Sequence, residues 1–505
     1  MSTSSLLRAA TDRSPGSARS RDSTGIALAL VLGAQLMIIL DMTVVNIALP
    51  SIASGLHLSA PSLSWVLNAY TLTFGGLLLL GGRAGDILGR RRVFIAGIVL
   101  FTVASLAGGL ATSAAWLLAA RAVQGAGGAI ASPAVLALIT ASFSEGRERT
   151  RALGIYTAVA MGGGSLGLVL GGVITEWVSW RWVLFINVPI GIAVALAAPL
   201  FLTESRRQPG RFDLAGAVTS TAGMTALVYG FIRAASDGWR NGVALGAFAA
   251  AAILLGLFVV TESRARQPIT PLRLFADRGR AGSYLARLLL VAGMFGMFFF
   301  LTQFVQEILG FSPLRAGFSF LPMTAALFAV SRLSPRLLAR VRAKSLMLVG
   351  LLPVVAGMSW LSRISPGAGY LGGVLGPMLL IGAGMGLVFV PLTIASLAGV
   401  RPEDSGAASS MVNVTQQVGG SLGLAILVTA FSSASRNAAR HQVTHLAPLV
   451  QAHQIVVHGM ASAFTLAAIF DICALLVVLA IIRGRATRPA PAPAAARSAA
   501  ERAGR

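Results

Sequence analysis

Ile39-Leu40-Asp41-Met42-Thr43-Val44-Val45-Asn46-Ile47-Ala48-Leu49-Pro50 (ILDMTVVNIALP) is the stretch on which the reading of this chain turns. It closes a run from Ile26 to Pro50 that is otherwise apolar, and about 25 helical residues rising about 1.5 Å each are enough to cross the hydrocarbon of a bilayer. The exception is Asp41. A carboxylate at that depth costs several kcal/mol unless it is paired or meets water, so such groups mark function more often than packing.

The rest of the composition agrees with a membrane solvent. Of 505 residues, 55% are hydrophobic and only 11% charged, with a mean hydropathy of +0.79; a water-soluble surface of this size would need far more charge. The net charge of +23 would point to nucleic acid in a soluble protein. Here the placement of the charges excludes that reading, because they sit in connecting loops. The single cysteine, Cys473, excludes an intrachain disulfide. Nearly every basic residue is Arg, with Lys344 the one lysine, the mark of a GC-rich bacterial genome.

Apolar runs of membrane-crossing length start near Ile26, Leu63, Val93, Ala114, Ala152, Trp182, Leu214, Val243, Gly282, Leu314, Ser345, Tyr370, Ala407 and Gly459, about fourteen in all. The first is too long for a signal-peptide core and lacks a cleavage site, so it reads as a retained span. An even number puts both termini on one side. If that side is the cytoplasm, the inner loops and tails carry about 31 of the basic residues and the outer loops about 7, a bias that fixes the orientation. Residues 1–25 and the Pro-Ala-Arg tail 483–505 read as disordered cytoplasmic ends. The longest outer loop, from about Ser432 to His458, holds His441, His445, His453 and His458. Without Cys or a nearby carboxylate these read as a solvated loop, and no metal site is expected.

The ionisable groups left inside spans are Asp41, Arg121, Arg287 and Asp471. Asp41 lies about 13 Å from the outer end of the first span and Arg121 about 10 Å from the outer end of the fourth. The two therefore share a depth, and an ion pair would remove most of the cost of each. Asp471 and Arg287 are less well matched in depth.

Four segments carry a resemblance to a known family. The chain resembles the major facilitator superfamily, and within it the fourteen-span drug:proton antiporters of the EmrB/QacA type, from about Ile26 to Ile482. "LDMTVVNIALP" (Leu40 to Pro50) is similar to their first-span motif. "GRAGDILGRRR" (Gly82 to Arg92) is similar to the loop signature between spans two and three; Gly85 and Gly89 permit a tight turn, Asp86 accepts hydrogen bonds at a helix end and the arginines hold the loop in the cytoplasm. "RAVQGAGGA" (Arg121 to Ala129) is similar to the fourth-span motif. The fifth span is similar to the antiporter motif G-P-x-x-G-G at Gly167 to Gly172, but Leu168 stands in place of the proline.

The resemblance implies an all-α integral membrane protein of about 14 transmembrane helices. Residues 26–203 and 281–482 would form two six-helix bundles, joined through residues 204–280 by two linking helices. It implies proton coupling by Asp41 and Arg121, and a conformational latch at Gly82, Asp86, Gly89, Arg90 and Arg91. Gly163, Gly167, Gly171 and Gly172 would form the antiporter-like helix. The expected substrate cavity draws on Asn46, Gln124, Phe298, Gln303, Asn413 and Gln417. No cofactor is expected beyond the proton gradient; the partners expected are a lipophilic small molecule, protons and membrane lipid, with no nucleic acid, for a monomer in the bacterial cytoplasmic membrane. A membrane enzyme would need a clustered catalytic set in the spans, and none is visible. No Walker sequence is present to bind ATP. An exporter of drugs or toxic metabolites driven by proton exchange is thus the leading expectation, and a gradient-driven transporter of another small molecule without strict exchange the alternative.

Overall fold

The computed structural model describes residues 15–142, 147–204, 212–265, 268, 270–400, 405–440 and 448–482. Every regular element among them is helical. In chain order they are α1 (Pro15–Leu56), α2 (Ala60–Leu88), α3 (Arg90–Gly109), α4 (Ala114–Ser142), α5 (Arg147–Trp177), α6 (Trp182–Phe185), α7 (Asn187–Phe201), α8 (Leu214–Asp237), α9 (Gly242–Arg264), α10 (Arg278–Gln303), α11 (Pro313–Ser319), α12 (Leu321–Ser331), α13 (Ser334–Leu338), α14 (Ala343–Leu361), α15 (Gly376–Leu397), α16 (Ser405–Arg440) and α17 (Pro448–Ala480). Two π-helical turns, Phe304–Ile308 and Tyr370–Leu375, continue α10 and precede α15.

Among the described residues, 13 helical segments are long and apolar enough to cross a membrane. The fifth span expected from the sequence corresponds to α5, a further 31-residue helix packed along α1. The sixth expected span is α6 and α7 together, and the tenth is assembled from α11, α12 and α13. The chain is therefore a multi-pass membrane protein.

Two boundaries differ from the sequence reading. Helix α1 is already helical at Pro15, the first described residue, ahead of the expected start at Ile26; Ser and Arg can continue a helix beyond the hydrocarbon. The long outer loop expected from Ser432 to His458 is mostly helix, since α16 runs to Arg440 and α17 starts at Pro448. His441 and His445 lie outside the described residues, as do 1–14 and the tail from 483. Among the described residues no group of three His, Cys, Asp or Glu could hold a metal.

The first bundle packs α2 and α3 against α4 and α1 against α5 and α7; the second packs α10 against α16 and α17, and α14 and α12 against α15. Small residues set the spacing. A side-chain carbon at Gly97 would lie 2.7 Å from the Ala131 backbone nitrogen, and one at Gly127 2.5 Å from the Phe101 nitrogen, so α3 and α4 touch backbone to backbone. Lipid gives no hydrophobic drive for helix association, and close approach supplies dispersion contact instead. The linking pair is not peripheral: α8 packs on both α2 and α16, the helices that meet where the bundles adjoin. Thr429 Oγ1 donates to the Phe231 carbonyl at 2.9 Å, and Arg436 donates to the Ala235 carbonyl.

Candidate functional site

Asp41 sits midway along α1, where that helix crosses α4 and α7. Its Oδ2 accepts from Arg121 Nη1 at 2.6 Å, and its Oδ1 accepts from Gln124 Nε2 at 2.7 Å and Asn187 Nδ2 at 2.9 Å. Arg121 also donates through Nε to the Val66 carbonyl at 3.1 Å and through Nη1 to Gln124 Oε1 at 2.6 Å, while its guanidinium stands 4.5 Å from the centre of the Tyr70 ring. Ser105 Oγ accepts from Gln124 at 2.5 Å and from Asn187 at 3.3 Å. Five helices thus contribute to one polar knot. Asp41 and Arg121 are each 1% exposed. The shared depth read from the sequence is an ion pair in space.

Three donors on one carboxylate and an aromatic face on the guanidinium supply in the protein what water would supply outside it. Gln124, expected in the cavity wall, is committed to this knot by its hydrogen bonds. Ser105 and Asn187 are members that the sequence reading missed. Asn187 carried a signal, an amide inside the apolar run Trp182–Ile190; Ser105 carried none, since a serine in a small-residue-rich helix is indistinguishable from packing.

A second group of contacts joins the two halves at the end remote from the arginine-rich loops. Gln306 Nε2 donates to the Ile47 carbonyl at 3.0 Å, and the Leu314 amide donates to Glu176 Oε2 at 2.9 Å. Gly172 of the antiporter-like helix allows α5 to meet α11: a side-chain carbon there would lie 2.7 Å from Leu314 Cα, and one at Gly317 2.5 Å from the Leu168 carbonyl oxygen. Gly163 faces Ile39 and Leu36, Gly167 faces Thr43 and Gly171 faces the Val44 backbone, so the same helix rides on α1 beside Asp41. With Leu168 in place of proline, α5 runs unbroken from Arg147 to Trp177. Nearer the middle, Thr71 and Ser421 share a hydrogen bond between α2 and α16.

At the arginine-rich end, Gly89 joins α2 to α3 with φ of +106°, a conformation that a side chain would strain. Arg90 Nη2 pairs with Asp86 at 3.1 Å. The Arg91 amide donates to Glu204 Oε1 at 3.0 Å, Arg91 Nη1 donates to the Leu202 carbonyl at 3.0 Å, and Arg92 Nε lies 3.8 Å from Glu204 Oε2. These contacts tie the loop to the end of α7, inside its own half. Gly82 packs near Pro133, 3.6 Å from where its side chain would be.

The remaining expected cavity residues are dispersed. Phe298 stacks on Phe320, with ring centres 5.5 Å apart. Gln303 Nε2 is turned back to the Phe299 carbonyl at 3.0 Å. Asn46 and Gln417 are buried with oxygens that lack a partner, and Asn413 is exposed near the start of α16.

Residues 31–424 match the Major Facilitator Superfamily model. The chain belongs to that superfamily. It is 45% identical over 424 residues to a cephamycin export protein of Amycolatopsis lactamdurans, covering 83% of this chain and 87% of that one. It is 41% identical over 453 residues to a puromycin resistance protein of Streptomyces alboniger, with 89% and 88% covered. Among solved structures, a bacterial homologue of the human lysosomal transporter Spinster superposes with a TM-score of 0.64 at 18% identity, over 92% of this chain and 98% of that one; at that identity the likeness speaks for the fold. Members of this superfamily are transporters, not enzymes, and the chain is read as one.

Proposed function

We propose that the protein exports drugs or toxic metabolites from a bacterial cell by alternating access, exchanging each against protons. The export reading is supported by relatives that are named for antibiotic export or resistance and align with more than four-fifths of the chain. The coupling reading rests on one observation: a carboxylate and a guanidinium enclosed together between helices, 2.6 Å apart. Protonating Asp41 cancels the charge that holds Arg121, and a guanidinium does not shed its own proton to compensate. The proton-bound pair must therefore find a new arrangement, which means moving α1 against α4. Proton binding and helix movement then become one event, as coupled transport requires. No cofactor takes part.

The basic loops face the cytoplasm in this reading, with both termini on that side. The clasp of Gln306, Glu176, Gly172 and Gly317 then closes the outer end, and the protein stands inward-facing. The loop from Gly82 to Arg92 rests on Glu204 in this state and latches the halves together in the opposite one. A uniporter or symporter is the second reading, favoured by the unbroken α5 at Leu168.

Everted vesicles energised by respiration test the proposal. Puromycin and a series of other lipophilic compounds should collapse the pH gradient in wild-type vesicles and leave it intact with Asp41→Asn. Accumulation of the compound with no proton movement would refute exchange and support the second reading.

A further inference from the structure

The second half also holds a buried arginine, and among the described residues no carboxylate pairs with it. Arg287 lies about 13 Å along α10 from its start at Arg278 and is 3% exposed. Its Nη2 donates to Thr393 Oγ1 on α15 at 2.6 Å and its guanidinium lies 5.6 Å from the Phe389 ring centre, but its buried Nε has no acceptor. The other buried charge of the same bundle, Asp471 of α17, has both oxygens unpartnered and lies against Gly293. Six residues separate Gly293 from Arg287, about 9 Å along α10 and about 240° around it, so the two charges face different ways.

The two orphans are not equivalent. A carboxyl group relieves its own burial by taking a proton, whereas a guanidinium stays charged and keeps its five donors in a planar fork. Arg121 in the first half receives Asp41; Arg287 receives one hydroxyl and a ring. Arg280, seven residues before it, donates instead to the Leu274 carbonyl at 2.6 Å and the Ala398 carbonyl at 3.4 Å. Thr393 and Phe389 are only half-buried, and so are Met294 and Phe298, two and three turns along the same stripe of α10, so this stripe beside the arginine is not fully covered by the rest of the protein.

We propose that Arg287 recognises a carboxylate of the transported molecule, with Thr393 holding the guanidinium in place and Phe389, Met294 and Phe298 meeting the apolar remainder. This deepens the export reading and rests on it: amphiphilic organic acids join the substrates. A planar fork meeting a carboxylate gives two parallel charge-assisted hydrogen bonds, and the acid completes the charge balance that the bundle lacks.

The test uses the full-length protein in detergent, with binding read by ligand-induced thermal stabilisation at constant chloride. The probes are a cephem carboxylic acid and its neutral methyl ester. Wild type should bind the acid at least about tenfold more tightly than the ester, and Arg287→Gln should remove that preference while leaving ester binding within about twofold. Equal binding of acid and ester by wild type, no binding of either, or a preference that survives Arg287→Gln would each overturn the proposal. Should Arg287→Gln fail to fold, Thr393→Val must shrink the preference by itself, and an unchanged preference overturns it. The export reading fails separately: if the acid binds through Arg287 yet neither it nor puromycin moves in vesicles, the site stands and export falls.

Discussion

Arg121 Nη1 and Asp41 Oδ2 lie 2.6 Å apart, both shut off from solvent, yet the two residues bear unequal burdens if the partner is lost. A carboxylic acid can bury itself neutral, and a guanidinium cannot. Asp41→Asn is therefore expected to cost about 3–5 kcal/mol, the range for breaking a buried pair, and Arg121→Gln less. Apparent melting temperatures of the solubilised variants decide it; equal losses, or a larger one for Arg121→Gln, would show that Asp41 stays ionised without its partner.

Asn187 holds the same carboxylate from the sixth span, through a 2.9 Å hydrogen bond to Oδ1. Replacing it by leucine leaves that oxygen one donor short and is expected to destabilise by about 1–3 kcal/mol. Transport should fall with it, while Asn187→Gln retains part of the activity. Full transport with Asn187→Leu would remove Asn187 from the working site.

Gly172 admits Leu314 at the clasp remote from the arginine-rich loops. Gly172→Val should drive α5 and α11 apart and shift the population toward the outward-open state. In a background with Cys473→Ser, a cysteine pair introduced by Glu176→Cys and Leu314→Cys should cross-link readily, and adding Gly172→Val should cut the yield several-fold. An unchanged yield would mean that the clasp tolerates the side chain.

Glu204 gathers the Arg91 amide and the Arg91 and Arg92 side chains at the other end. The pairs are partly solvated, so Glu204→Gln should cost only about 1 kcal/mol or less of stability. It should nevertheless slow transport, because the loop loses its seat on the end of α7. The informative measurement is initial transport rate beside melting temperature. A loss in both of equal weight would make Glu204 a structural prop.

Much of this arrangement was legible from residue types alone. The segment from Leu40 to Pro50 announced a span with a buried charge, and depth counting put Asp41 level with Arg121 because a helix advances a fixed distance per residue. Of the two glycines expected to permit the turn between Gly82 and Arg92, Gly89 makes it at positive φ, where glycine sits easily, whereas Gly85 stays within α2. Depth counting likewise set Asp471 and Arg287 apart. It could not show that the two do not pair with each other, because azimuth around a helix depends on which neighbours it packs against.

The sequence by itself determined the solvent, the spans, the all-helical class and the central ion pair, because hydrocarbon permits only long apolar helices and makes every buried charge conspicuous. Only the tertiary structure decided that Asn187, 146 residues from Asp41, completes the knot, that α8 packs where the halves meet, and that the clasp closes at the end away from the arginines. Those facts live in contacts between helices distant in sequence, where many small-residue surfaces are locally alike and the choice among them is made by all the neighbours together.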